Sequence, residues 1–240
     1  MKKYELTSET KVIDGVELHR IKALESFGNI EEGDLGGWIE SEKNLSQYGN
    51  AWVGGEATVS GNAKVFDNAT VFDNATVRGY AIISGNATVI NNATVDGYAK
   101  VSYNAWVGGD AWVGEHTTVG DNAKFYENAE VGGYAKVFDN ATVRGNATVR
   151  GYARVDGNAM IGGDAKVRGK EDYIVFKNWW SSGRYFTWTR SNNKWAVGCF
   201  YGSGEELIAK AYKDSEKSGR EYERVVNYVE SILKEENNNK

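Results

Sequence analysis

Residues 61–77 read GNAKVFDNATVFDNATV, and variations of this six-residue phrase, N-A-x-V-x-G, run without a gap through residues 48–169. Counted in steps of six, the range Val53–Val167 contains 20 apolar positions. All of them are valine apart from Ile83, Phe125 and Ile161. Alanine stands two residues before each position, except at Thr117. A fixed short period of this kind indicates a solenoid, in which each unit buries its apolar face only against its neighbours.

Each six-residue unit combines a short strand with a corner. In A-x-V the side chains alternate, with alanine and valine pointing inward and x outward. The residues that follow are mostly Gly, Asp or Asn, which tolerate positive φ and therefore suit a corner. Three strands per coil give an 18-residue turn, and 20 strands at ~4.8 Å per coil predict a column about 32 Å long. A helical or collagen-like fold is excluded, because the period is neither 3.6 nor a Gly-x-y triplet.

The repeated phrase resembles that of the hexapeptide-repeat family, whose fold is a left-handed parallel β-helix of triangular section. The left hand is implied by this resemblance alone, because crossovers between parallel strands are normally right-handed. Residues 21–24, 33–40 and 44–46 resemble a leader found in bacterial and prophage hexapeptide-repeat proteins, some of which are labelled acyltransferases. The resemblance implies a mainly β fold and two candidate functions, acyl transfer and a non-enzymatic role.

Residues 18 apart should stack, so the sequence defines columns along the prism. One corner column predicts a ladder of hydrogen-bonded amides and consists of Asn50, Asn68, Asn86, Asn104, Asn122, Asn140 and Asn158. A second corner column is aromatic and consists of Tyr80, Tyr98, His116, Tyr134 and Tyr152. Stacked rings at strand spacing favour a stabilising ladder. The alternative is an aromatic binding stripe, which makes these five residues candidate binding residues.

One outward face is rich in large apolar side chains, which positions facing water seldom hold in such number. It carries Trp52, Phe72, Ile90, Trp106, Tyr126 and Met160. We predict that these six residues form a homo-oligomer interface. The resemblance favours a trimer, because related prisms commonly pack side by side. The alternative is that the ends of the same chain cover this face.

The segments on either side of the repeat are predicted to cap it. Residues 1–47 should form an N-terminal β cap, because the open end of a β-helix exposes unpaired backbone groups. Residues 170–240 should form a small α+β module of three strands and two helices, the first helix starting at a Ser203-x-x-Glu206 capping box and ending at Gly219. The surplus aromatic side chains of this module either cover the end of the prism or bind a partner. The candidates for binding include Trp179, Trp180 and Trp188.

Composition narrows the range of partners. The net charge is −5, and the three segments carry −4, −2 and +1 in chain order. No segment has the basic excess of a phosphate-binding surface, so we expect no nucleic-acid partner. The single cysteine, Cys199, allows no disulfide within the chain, and there is no apolar run of membrane length. We therefore expect a cytoplasmic protein without a membrane contact.

The enzyme hypothesis depends on one histidine. The resemblance implies a coenzyme A-dependent acyltransferase in which a histidine acts as general base, and only His116 lies on the repeat. Its unit, residues 115–118, departs from the phrase at three positions. The other histidine, His19, is predicted to be a surface or packing residue of the cap. Against catalysis, the repeat has no insertion that could form a loop around an acyl acceptor.

We therefore predict a non-enzymatic binding or scaffold protein, phage- or prophage-encoded and acting on a host protein, with no cofactor and no metal site. The alternative is an acyltransferase that uses a coenzyme A thioester, with His116 as its general base.

Overall fold

The structure, a computed structural model, describes residues 2–238. Its centre is a column of twenty two-residue strands, here called rungs, which recur every six residues from Trp52–Val53 to Lys166–Val167. Rungs 18 residues apart pair in parallel, so that Thr88 lies opposite Trp106 and Val89 opposite Val107. The column is a parallel β-solenoid of about 7 turns with coils of ~18 residues, which confirms the predicted fold class. The left-handed winding stays a prediction.

The rungs form three faces, each named here after an outward residue type. The Trp face is a seven-stranded sheet of Trp52–Val53, Thr70–Val71, Thr88–Val89, Trp106–Val107, Lys124–Phe125, Thr142–Val143 and Met160–Ile161. The Lys face is a six-stranded sheet of Lys64–Val65, Ile82–Ile83, Lys100–Val101, Thr118–Val119, Lys136–Val137 and Arg154–Val155. The Thr face consists of Thr58–Val59, Thr76–Val77, Thr94–Val95, Trp112–Val113, Glu130–Val131, Thr148–Val149 and Lys166–Val167.

The repeated alanine and valine side chains fill the interior of the column. Each of them is 0% or 1% exposed, as are Ile83, Phe125 and Ile161. Thr117, which replaces alanine in one unit, is equally buried, and its hydroxyl donates to the carbonyl oxygen of Gly114 at 2.7 Å. The departure from the repeat at Thr117 therefore leaves no unsatisfied polar group in the core.

The corners need a backbone with positive φ, which glycine adopts without strain. At Gly97 φ is +65°, and a Cβ placed there would lie 2.7 Å from the backbone nitrogen of Glu115 in the next coil. Where aspartate takes the same position, its carboxylate accepts an N–H from the next coil. Asp67 accepts the backbone N–H of Gly85 at 3.1 Å. Asp139 accepts the backbone N–H of Gly157 in the same way, at 2.8 Å. This bond between coils offsets part of the cost of the strained backbone.

The asparagine column forms the predicted ladder from Asn50 to Asn140, and the bond onward to Asn158 is not formed. Each side-chain Nδ2 donates to the Oδ1 of the asparagine 18 residues later, from Asn50 through Asn122, with distances of 3.1 to 3.2 Å. The bonds run along the axis of the prism, and they are exposed to solvent. Each of them therefore contributes modestly to stability, but together they hold five successive coil junctions in register.

The N-terminal segment extends the column. The strand Leu35–Ile39 pairs in parallel with Thr58–Val59, so the coils begin before residue 48. An antiparallel hairpin of Tyr4–Ile13 and Val16–Ala23 adds two more strands to this edge of the Thr face. A short 3-10 turn, Glu42–Asn44, then leads into the repeat.

Two side chains bind carbonyl groups of the first coil that accept no backbone N–H from the described N-terminal segment. The Asn44 amide donates to the carbonyl oxygens of Gly61 at 3.0 Å and of Ala63 at 2.9 Å. The Lys3 ammonium donates to the carbonyl oxygen of Ala51 at 2.8 Å. These side-chain N–H groups take the place of the backbone donors that another coil would supply.

Lys3 is unusual because it is charged and only 1% exposed. Its ammonium lies 4.9 Å from the centre of the Phe27 ring. Burial lowers the pKa of Lys3 from 10.5 to about 8, and the charge of Glu25 partly offsets that effect.

A small module follows the last coil and the 3-10 turn Lys170–Asp172. Its four antiparallel strands and two helices are Tyr173–Lys177, Tyr185–Thr189, Lys194–Val197, Phe200–Gly202, α1 (Gly204–Asp214) and α2 (Glu216–Asn238). The sequence predicted three strands, and the fourth, Phe200–Gly202, lies in a glycine-rich stretch. The predicted helix end at Gly219 is wrong, because the helices part at Ser215, whose hydroxyl accepts the Ser218 N–H at 3.1 Å. Neither helix of residues 2–238 combines the length and apolar character needed to cross a membrane.

The C-terminal module covers the far end of the prism, where backbone N–H groups lack a following coil. Three of these groups donate to side-chain oxygens beyond the repeat. Met160 N–H donates to the Thr187 hydroxyl at 2.9 Å, and Lys166 N–H donates to the Ser191 hydroxyl at 2.6 Å. Arg168 N–H donates to the Asp172 carboxylate at 2.6 Å. Tyr173 and Val175 also pack against the core of the column.

Candidate functional site

The two ends of the Trp face are covered by the chain itself. Trp52 is 2% exposed, because the Tyr4 and Phe27 rings lie edge-on against it with centroids 6.4 and 5.5 Å away. Met160 is half-buried beside the C-terminal module, which its backbone N–H contacts through Thr187. The prediction that Trp52 belongs to an oligomer interface is therefore wrong, since the N-terminal segment already occupies that surface. Met160 lies beside the module and lines a shallow cavity with Arg184 and Tyr185.

The other four predicted interface residues, Phe72, Ile90, Trp106 and Tyr126, remain half-buried. They form one continuous apolar strip along the axis of the prism. The Trp106 ring lies over Gly108, where a Cβ would be 2.2 Å from the ring, and its centroid is 4.6 Å from that of Tyr126. A side chain at position 108 would displace the Trp106 ring. Because residue 108 is glycine, the ring can lie over it and fill the gap in the strip between Ile90 and Tyr126.

The apolar strip is bounded at both ends. Near Phe72, the loop that carries Phe27 and Ile30 leaves an open cavity of about 190 Å³. At the other end, Arg184 and Tyr185 of the module border a second shallow cavity of about 250 Å³. The exposed strip between them spans three coil steps, or about 14 Å.

The aromatic column forms the predicted ladder. Successive ring centroids from Tyr80 to Tyr152 are 4.8, 4.9, 4.8 and 5.2 Å apart, and the planes lie within 3 to 9° of parallel. Tyr80 and Tyr98 are each 52% exposed, and Tyr134 is 50% exposed. Because each inner ring has neighbours on both faces, the ladder presents ring edges and hydroxyl groups to solvent. A flat ligand could stack only on the two terminal rings.

His116 lies inside this ladder. Tyr98 and Tyr134 cover the two faces of its imidazole. No side chain or backbone group of residues 2–238 makes a hydrogen bond with the imidazole, so the two stacked tyrosine rings set its orientation. The preceding residue, Glu115, instead accepts the backbone N–H of Gly133 in the next coil. Residues 115–118, which depart from the repeated phrase, therefore keep a hydrogen bond between coils at this corner.

The tryptophans of the C-terminal module differ in their exposure. Trp188 is 1% exposed, and its indole N–H donates to the Asn193 side chain at 2.8 Å. Trp180 is 8% exposed and packs edge-on against Tyr222, with centroids 5.0 Å apart. The prediction that these two residues bind a partner is wrong, because they form the core of the module. Trp179 is 74% exposed, and its role in binding stays a prediction.

The described chain, residues 2–238, brings no three His, Cys, Asp or Glu side chains together in an arrangement that could hold a metal ion. Cys199 is exposed and unpaired with any other cysteine.

Residues 81–97, one coil of the column, match the family model of the YdcK beta solenoid repeat. The chain fits a hexapeptide-repeat-like β-helix family. The match covers a single coil, but the same phrase and the same rung geometry extend over the whole column. Among curated proteins, none matches this chain.

Sequence reasoning missed the residues that cover the ends of the Trp face. Phe27 and Ile30 pair with each other as a bridge in a short loop, and both pack against the core. Two large apolar residues in an otherwise polar segment were the available signal for such a cover. Lys3 offered no comparable signal, because its burial depends on contacts more than 40 residues away in the chain.

Proposed function

We propose that this protein is a non-enzymatic binding scaffold, and that the apolar strip of Phe72, Ile90, Trp106 and Tyr126 holds a short segment of a partner protein. The observation that carries this proposal is the contrast along the Trp face. Its two ends lie against the chain's own terminal segments, whereas the four large apolar side chains between them are only half-buried and lie in a row. A row of large apolar side chains rimmed by polar residues supports an interaction site, here a small one.

The size of the strip favours a segment over a whole second prism. At about 14 Å by roughly 10 Å it offers on the order of 150 Å², whereas a stable interface buries ~800 Å² on each partner. An extended segment of about four or five residues would match its length. Asp73, Asp110 and Glu127 lie on the adjoining corner, so a basic residue beside the apolar ones would complement the site.

Self-association through the same strip is the second candidate, as the sequence suggested for a homo-oligomer. It would require contacts beyond the strip to reach a stable area. The prophage origin and the host-protein partner that the sequence resemblance suggests remain part of this proposal.

Acyl transfer is the alternative that the geometry favours least. A general base must be held within hydrogen-bond reach of its acceptor, and the uninterrupted rungs leave no inserted loop that could hold an acceptor beside the exposed edge of the His116 ring. Incubation with acetyl-coenzyme A and a panel of small amines and sugars tests this alternative. Acetylated product that is lost in His116→Ala would contradict the non-enzymatic proposal.

The binding proposal is tested by selecting peptides from a displayed random library against the full chain. We expect selected peptides to combine apolar and basic residues, and to bind the Trp106→Ser/Tyr126→Ser variant at least tenfold more weakly. Trp112→Ser, on the Thr face, is the matched control and should bind as the unchanged protein does. Peptides that bind the strip variant equally well would refute the site. Light scattering that shows a stable oligomer, lost in the same strip variant, would favour the second candidate.

A further inference from the structure

We propose that the aromatic ladder is a site of oxidative modification, in which neighbouring tyrosines become joined as dityrosine. The two pairs are Tyr80 with Tyr98 and Tyr134 with Tyr152. Their ring centroids lie 4.8 and 5.2 Å apart, with interplanar angles of 6° and 9°. These pairs would become covalent links between successive coils.

The ladder meets the two geometric needs of this reaction. An oxidant must reach the phenols, and the four tyrosines are 50% to 82% exposed. The two rings must also be held together, and here the corner backbone fixes them one coil apart. Holding two reactants side by side raises their effective concentration by orders of magnitude over the micromolar concentration of separate chains. Coupling within the chain should therefore outcompete coupling between chains.

The chemistry balances with a peroxide as the oxidant. Each tyrosine loses one electron and its phenolic proton to give a phenoxyl radical. The two radicals couple through ring carbons ortho to the hydroxyl, and the displaced ring hydrogens restore both phenols. The pair thus loses two hydrogen atoms in total, and one hydrogen peroxide, activated by a peroxidase, is reduced to two waters.

His116 limits the reaction to two separate pairs. Its imidazole lies between Tyr98 and Tyr134, with ring centroids 4.9 and 4.8 Å from theirs. Imidazole has no phenol to form the coupling radical, so these two tyrosines stay one full ring apart. Because the histidine separates the two tyrosine pairs, each pair can be cross-linked, but the two links cannot join into one continuous series.

The test treats the full chain with a peroxidase and limiting hydrogen peroxide, then digests it with trypsin. Tyr80 and Tyr98 share the tryptic peptide 79–100, so their link should appear as that peptide lighter by two hydrogen atoms. Tyr134 and Tyr152 fall on peptides 125–136 and 151–154, which should become joined. Both products should show dityrosine fluorescence, and their yield should not change when the protein is diluted.

Three variants and one condition make the test specific. Tyr98→Phe keeps the stacked ring but has no phenol, and should abolish the first link while leaving the second. Tyr103→Phe, at an exposed tyrosine outside the ladder, is the matched control and should leave both. His116→Tyr should create new links through position 116. Equal yields from the folded chain and from chain unfolded in urea, or a link within peptide 79–100 that persists in Tyr98→Phe, would overturn the proposal.

Discussion

Replacing Lys3 with Met should change how the free energy of unfolding depends on pH. In the folded chain the Lys3 ammonium is buried against carbonyl groups of the first coil, and burial lowers its pKa from 10.5 to about 8. Between these two pH values the unfolded chain binds more protons at Lys3 than the folded chain does. The contribution of this group to stability therefore rises as the pH increases from about 8 to 10.5, and it is lost as the pH falls through 8.

The magnitude follows from the size of the pKa change. A shift from 10.5 to about 8 corresponds to about 3 kcal/mol at ~1.36 kcal/mol per pKa unit. Solvent near the open end of the prism screens part of this interaction, so we expect about 1 to 2 kcal/mol. Met has a similar length and no titrating group, so the Lys3→Met variant lacks this pH-dependent increment. It also loses the bond to the Ala51 carbonyl at every pH.

Urea unfolding followed by far-UV circular dichroism measures the effect. The unchanged protein and Lys3→Met are compared at about pH 7 and about pH 10, and the free energy of unfolding of the unchanged protein minus that of Lys3→Met should increase at the higher pH. Lys2→Met is the matched control, because Lys2 is exposed and pairs only with Glu42 at the surface. It should follow the pH dependence of the unchanged protein. The reasoning is refuted if the free energy of unfolding of the unchanged protein minus that of Lys3→Met stays constant or falls as the pH increases.

Two further substitutions test the repeat itself. Asn104→Ala removes two exposed ladder bonds and should lower the free energy of unfolding by about 1 kcal/mol in urea titrations, whereas no loss would show that the amide column contributes nothing. Thr117→Ala restores the residue of the other units, and the carbonyl oxygen of Gly114 keeps its bond from the backbone N–H of residue 117. We expect the free energy of unfolding to change by less than about 1 kcal/mol. A decrease of several kcal/mol would mean that the Thr117 hydroxyl has a role beyond its own corner.

The column was predictable because its signal is local and repeated. The pattern of any one unit, such as Asn68-Ala69-Thr70-Val71, predicts which side chains face inward. Because the spacing is constant, the same prediction holds for every other unit. The ladders follow in turn, since a parallel register places residues 18 apart side by side. Tyr80 and Tyr98 therefore stack as the sequence predicted.

The candidate site was predicted less well, because the repeat says which residues point outward but not what lies over them. Trp52 and Trp106 occupy equivalent positions in the phrase, yet only Trp52 is covered by the Tyr4 and Phe27 rings. The module lacks a repeat altogether, so local patterns could not separate the buried Trp180 from the exposed Trp179 beside it. Contacts between segments distant in the chain decide both cases.

The 18-residue coil also sets the increments by which this protein can change size. An insertion or deletion of one whole coil within residues 48–169 would keep every column in step, and would move the two terminal segments apart or together by ~4.8 Å. A change of six residues would do something different, because the terminal segments would then turn relative to each other by one face of the prism. The distance between the two terminal segments and their relative orientation about the axis of the prism can therefore be adjusted separately.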